Sequence, residues 1–168
     1  MLYSLQPMDG DWKARLSTIL PFFGHRNWIV VADSAYPAQS NPGIETIVAG
    51  GDQIAVIEHV LAAIGQSKHV RANVYADKEL AYVAESDAPG VLDYRRKLDA
   101  ALKGAKPSFL PHEQIIHKLD ESAQLFRVLL IKTDMTLPYT TVFFELDCGY
   151  WTAEAEQRLR KALSAASE

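Results

Sequence analysis

The run Trp28-Ile29-Val30-Val31-Ala32, closed by Asp33, restricts the folds open to this chain more than any other stretch. Its residues are all apolar and three are β-branched, so it has no face to offer solvent. Such a run suits a strand buried on both sides, and a buried strand needs covering layers above and below its sheet. Gly24 ends a helix just before it, and Asp33 to Pro42 forms a turn-rich loop just after it. In open α/β sheets ligands bind outside the C-terminal ends of the strands, which puts this loop at the place to look for a site. One imidazole, His25, precedes the strand, and one carboxylate, Asp33, follows it.

A strand of five residues is about 16 Å long. His25 and Asp33 therefore cannot lie side by side within it. If both serve one pocket, either the chain curls back before the strand or a second subunit supplies one of them.

The remainder alternates between helical and extended patterns. Trp12, Leu16, Ile19, Leu20 and Phe23 fall at helical spacing, with Asp9 or Asp11 placed to cap the helix and Pro21 to kink or end it early. Gly43 to Val48 predicts a short strand. Asp52 predicts an N-cap, and Ile54, Ile57, Val60, Leu61 and Ile64 a helix running to Gly65. Val70 to Val83 alternates in its first half, as a strand does. After Pro89 a helix is expected, with Val91, Leu92, Leu98 and Leu102 buried and Arg95, Arg96 and Lys97 in solvent. Phe109-Leu110, Phe126–Ile131 and Thr140–Leu146 read as extended, and His112 to Ser122 as helical. Thr152 is placed to cap a last helix. This interleaving predicts an α/β fold: a single layered domain over residues 1–168, with a mostly parallel sheet flanked by helices and a C-terminal helical extension from about residue 150.

Composition narrows the function. The chain has 168 residues, 48% of them hydrophobic, and a net charge of −4 with both signs interspersed. It has no basic stripe for nucleic acid and no apolar run near the roughly 20 residues of a membrane span. Met1 to Gly10 has neither the basic nor the apolar part of a secretory signal. Cys148 is the only cysteine, which fits a reducing compartment, so a cytoplasmic protein is expected.

Several residues can carry chemistry, each against a plainer role. His25 at an element junction suits acid–base work near neutral pH, or the capping of a helix C-terminus. Asp33 suits a hydroxyl-binding carboxylate, or the first residue of an Asx turn. His112-Glu113-Gln114-Ile115-Ile116-His117 looks like a zinc-protease motif but fails on spacing. That motif needs histidines four apart, and these are five apart, about 140° around a helix. His112 stands at a helix start, where the dipole favours a neutral imidazole. His59, His69 and His117 read as ordinary surface or half-buried residues. Tyr139, in Leu137-Pro138-Tyr139-Thr140-Thr141, brings a phenol to a pocket or packs over a strand edge. No phosphate-cradling glycine motif, metal cluster or nucleophile elbow is present, so no cofactor is expected.

Gly24-His25, the apolar strand, and Asp33-Ser34-Ala35-Tyr36-Pro37 together resemble the signature of the ribose pyranase and fucose mutarotase (RbsD/FucU) family. Pro37-Ala38-Gln39-Ser40 looks closer to the fucose branch, and Pro111-His112-Glu113-Gln114 is similar to a segment of the ribose branch. Pro138-Tyr139-Thr140-Thr141 stands where the family has a Tyr-small-Asn segment, with Thr141 in place of the Asn. The resemblance implies a compact RbsD-like α/β fold assembled into rings, often decamers, with sites at subunit contacts. It implies interconversion of the cyclic forms of a free monosaccharide without a cofactor. It places the catalytic histidine at His25, and sugar-binding groups at Asp33, His112, Tyr139 and Thr141. A non-catalytic sugar-binding or sensing protein, or an assembly protein using the C-terminal helix, are the competing expectations.

Overall fold

The computed structural model describes residues 11–167. The chain enters through α1 (Asp11–Ile19), and Pro21 falls in a 3₁₀ turn, Leu20–Phe22, that ends the helix. Asp9, one of the two expected caps, lies outside the described residues. Next come β1 (Trp28–Ala32), β2 (Ile44–Val48), α2 (Gln53–Gln66) and β3 (Val70–Asp77). They are followed by α3 (Val91–Leu102), β4 (Ser108–Leu110), α4 (His112–Ala123), β5 (Val128–Lys132), β6 (Val142–Cys148) and α5 (Ala153–Ala165). The expected caps form: Asp52 accepts from the Ala55 amide at 3.1 Å, and Thr152 from the Ala155 amide at 3.1 Å.

The strands make one sheet in the order β2-β5-β1-β6-β3-β4. Five strands run one way and β6 runs against them. The reason lies in the short link between β5 and β6. A parallel return needs a crossover of a dozen residues or more, usually a helix. The link from Thr133 to Thr141 is shorter than that, so it passes over the C-terminal end of β1 and β6 enters antiparallel on the far side. The Thr133 amide bonds the Ala32 carbonyl at 2.9 Å, and the Ser34 amide bonds the Met135 carbonyl at 2.8 Å. The start of β6 therefore shares a pole of the sheet with the ends of β1, β3 and β4. Its end, at Asp147 and Cys148, returns to the opposite pole, beside His25.

Every residue of β1 is buried, as its composition requires. Ile29 and Val31, with Leu129, Ile131, Phe144 and Leu146, pack against α1, α2 and α3 on one face. Trp28, Val30 and Ala32, with Val128, Leu130 and Phe143, pack against Ile115, Leu119 and Ala123 of α4 on the other. One helix thus covers a whole face, and burial of each of its large aliphatic side chains is worth about 1.5–3 kcal/mol.

Helix α3 differs from the expected face. Val91, Tyr94, Leu98 and Leu102 are its buried residues, while Leu92 is exposed, because the 3.6-residue period favours Tyr94 over Leu92. Arg95 is not left to solvent either: its guanidinium donates to the Ala81 and Val83 carbonyls and holds the 3₁₀ segment after β3. In α5 no residue is buried. Among the described residues no helix is long and apolar enough to cross a membrane.

Candidate functional site

The C-terminal ends of β1, β3 and β4 and the start of β6 surround a cavity of about 490 Å³. Asp33, Tyr36, Asp77, His112 and Tyr139 line it, with Glu113 and Asp120 from α4. Asp33, His112 and Tyr139, distant in sequence, therefore meet in one place.

Asp33 is held twice. Its Oδ1 accepts from the Ala35 amide at 2.9 Å, which makes the Asx turn, and its Oδ2 accepts from the Thr141 hydroxyl at 3.2 Å. The Thr141 oxygen also accepts from the Asp33 amide at 3.4 Å. Thr141 is buried, and its hydroxyl is spent on Asp33. It stands behind the carboxylate rather than in the cavity wall.

His112 opens α4. Its amide donates to both oxygens of Glu79, at 3.0 Å each, so a carboxylate caps the helix start. Its Nδ1 lies 3.0 Å from Asp77 Oδ2. Asp77 is only 1% exposed, and its Oδ1 has no partner. Burial pushes the Asp77 carboxyl up to about 6; His112 pulls it back, and the charges of Glu79 and Asp33 push it further up. A carboxyl with that value exchanges its proton near neutral pH. Burial, and then the charges of Asp120, Asp77 and Asp33, push the Tyr36 phenol well above its ordinary value, so it stays neutral.

Tyr139 has φ 57, in the left-handed region that costs a non-glycine residue energy. Its ring stands edge-on to His112 at 5.9 Å. A buried polar network holds its loop in place. Gln53 donates to the Thr140 carbonyl and, at 3.0 Å, to the Tyr94 hydroxyl, and accepts from Thr133 at 2.8 Å.

His25 is elsewhere. The chain does not curl back before β1, and His25 lies at the opposite pole, about one strand length from Asp33. There its Nδ1 is 2.8 Å from Asp147 Oδ1, and Arg71 donates to Asp147 Oδ2 at 2.8 Å. These side chains, with Arg26, Trp151 and Arg160, line a separate cleft of about 640 Å³. Arg26 also has a positive φ, 75. Burial raises the Asp147 carboxyl, but hydrogen bonds from Arg71, the Cys148 amide and His25 outweigh it and hold the carboxyl below its ordinary value.

Sequence reasoning missed Asp77 and Asp147. A signal for Asp77 existed: it closes an alternating strand as Asp33 closes β1. Asp147 had none, because only the sheet order brings the end of β6 beside His25. Among the described residues no group of histidine, cysteine or carboxylate side chains is arranged to hold a metal ion.

The model of the RbsD / FucU transport protein family matches residues 11–148. No curated protein sequence is similar to this one at a significant level. Bacillus subtilis RbsD complexed with D-ribose has a similar structure, with a TM-score of 0.54 and 17% identity over 80% of this chain and 92% of that one. The fucose mutarotase from Streptococcus pneumoniae in complex with L-fucose has a TM-score of 0.51 and 17% identity over 88% and 98%. FucU from Bifidobacterium longum has a TM-score of 0.50 and 13% identity over 79% and 92%. The family match ends where β6 ends, so α5 lies beyond it. From Asp11 to Cys148 the sequence and the mixed six-stranded sheet agree, and the chain belongs to the RbsD/FucU family.

Proposed function

We propose that this protein is a cofactor-independent isomerase, a mutarotase or pyranase that interconverts cyclic forms of a free, ribose- or fucose-like monosaccharide. The cavity at the C-terminal pole carries this reading. Asp33, Asp77, Glu113 and Asp120, two phenols and His112 face it, and no lysine or arginine is among its lining residues. Carboxylates accept hydrogen bonds from hydroxyls, so the wall suits a neutral polyol and repels a phosphate or a carboxylate. Two of the similar structures named above hold D-ribose and L-fucose, which supports the substrate class.

Ring opening of a hemiacetal takes a proton from the anomeric hydroxyl and delivers one to the ring oxygen; closure reverses both transfers. No electron or phosphoryl group moves. In this reading Asp33, His112 and Tyr139 hold the sugar hydroxyls, Thr141 orients Asp33, and His25 moves the proton. Because His25 and the cavity of its own chain lie at opposite poles, His25 serves the cavity of a second copy. The active form is then a homo-oligomer, the ring-forming assembly that the family resemblance implies.

One observation favours a second reading. The Thr141 hydroxyl is spent on Asp33, so the wall lacks a free amide there, and a sugar-binding protein without catalysis would tolerate that loss. Proton NMR saturation transfer between anomers separates the two. With ribose, fucose and a panel of related sugars, protein-dependent transfer that is lost in His25→Ala is the expected result. Line broadening of a sugar without transfer would establish the binding protein instead.

A further inference from the structure

We infer that Asp147 is a positioning residue for catalysis: it fixes His25 in the tautomer that presents a bare Nε2, and Arg71 keeps that carboxylate charged. The inference rests on the proposed role of His25, but its geometric half does not. Two neighbours dictate the tautomer. Ionised Asp147, 2.8 Å from Nδ1, has no proton to give, so Nδ1 carries the hydrogen. The Arg26 guanidinium, on the other side, can only donate, and its Nε points at His25 Nε2 at 3.3 Å. Both contacts are satisfied only by hydrogen on Nδ1 and a lone pair on Nε2.

The Asp147 side is built and the Arg26 side is loose. Asp147 Oδ1 also accepts from the Cys148 amide at 2.8 Å, and Oδ2 from Arg71 at 2.8 Å, so both its oxygens are anchored. The side chains bonded to it are the Arg71 guanidinium and the His25 imidazole, and their donated hydrogen bonds, with that of the Cys148 amide, hold the carboxyl below its ordinary value. The Arg26 bond lies beyond the usual 2.7–3.2 Å range of such contacts, so an anomeric hydroxyl displaces it at little cost. Nε2 then takes the hydroxyl proton, the imidazolium stays bonded to Asp147, and the same Nε2–H returns a proton to the ring oxygen. Nothing is left over: one proton is taken and one is given.

The test reads the imidazole and the rate separately. Long-range proton–nitrogen NMR on the full-length protein at mildly alkaline pH is expected to show hydrogen on Nδ1 in the wild type and a mixture of tautomers in Asp147→Asn. Anomer exchange in Asp147→Asn is expected to fall about 10- to 100-fold in kcat with KM little changed, within the roughly 10²–10⁴-fold that positioned acid–base catalysis supplies. Arg71→Met, which leaves Asp147 itself in place, is expected to give the same change in smaller measure, and serves if Asp147→Asn does not fold. An active wild type with an unaltered kcat in both variants overturns the inference while leaving the mutarotase reading intact. A wild type without anomer exchange removes that reading; the tautomer then decides, and an unchanged Nδ1–H signal in Asp147→Asn overturns the inference.

Discussion

The two poles of the sheet each carry a histidine bonded through Nδ1 to an aspartate, and the two pairs differ in everything but that bond. His112–Asp77 spans 3.0 Å with the carboxylate almost wholly buried, one oxygen unpartnered and other acids nearby. His25–Asp147 spans 2.8 Å with the imidazole 58% exposed and an arginine on the second oxygen. The buried pair has its carboxyl pushed up to about 6, and the exposed pair has its carboxyl held down. The same contact therefore accompanies a carboxyl that takes up a proton near pH 6 at one pole and a fixed negative charge at the other. What surrounds a pair, more than its distance, decides its chemistry.

The largest effect expected from this contrast is kinetic. His25→Ala is expected to lower kcat about 10²–10⁴-fold, the full worth of positioned acid–base catalysis. His112→Ala is expected to act mainly on KM, because in the proposed function His112 holds a sugar hydroxyl in the cavity. Steady-state anomer exchange measured on both variants checks the division. A kcat collapse in His112→Ala with an unaffected His25→Ala would reverse the roles of the two poles.

The next effect concerns pH and stability. The Asp77 carboxyl is raised in the folded protein, so the folded state binds its proton more tightly than the unfolded state does. The stability this lends is fully present below the ordinary aspartate value and is lost as pH rises through about 6. With about 1.36 kcal/mol per pKa unit the whole contribution is about 3 kcal/mol, of which about 2 kcal/mol is lost between pH 4 and pH 7. Denaturant unfolding of wild type and Asp77→Asn across that range is expected to show the wild type losing this much relative to the variant. A difference that does not change with pH would mean that Asp77 is not held protonated by its burial.

Much of this arrangement could be read from residues alone, and the reasons for the failures are physical. Trp28–Ala32 declared a doubly covered strand by having no polar face, and Asp33, His112 and Tyr139 stood beside turn residues at element ends, where sites form. The partners of the two histidines were hidden because sheet order is a non-local property. Asp147 meets His25 only because a link too short for a helix forces β6 to return antiparallel beside β1. In α3, Val91, Leu98 and Leu102 set a helical period that carries Tyr94 inward and turns Leu92 outward, so Leu92 gave a core signal by apolar character alone.

A smaller effect tests the support of the cavity. Thr141→Val keeps the shape of the side chain and removes the hydroxyl that bonds Asp33 Oδ2. A single hydrogen bond to a charged group is worth about 1.5–3 kcal/mol at most, and Asp33 keeps its bond from the Ala35 amide. Sugar titrations are expected to show about a tenfold weaker affinity, with kcat nearly unchanged. An equal loss in kcat would show that Asp33 acts on the reacting atoms rather than on a bystander hydroxyl.

The smallest effect is the sharpest discriminator between the poles. Asp147→Asn removes a partly exposed ion pair, and such pairs contribute about 0–1 kcal/mol to stability. Its lowered carboxyl gives stability that is present above the ordinary aspartate value and is lost only as pH falls through the lower folded value. From pH 5 to 8 the difference in unfolding free energy between wild type and Asp147→Asn is therefore expected to stay flat and small, and to shrink further in high salt. A residue that matters to rate and hardly to stability is one retained for what it does to its neighbour. If Asp147→Asn instead costs as much stability as Asp77→Asn and varies with pH in the same window, the two pairs are structural equals and the contrast between the poles fails.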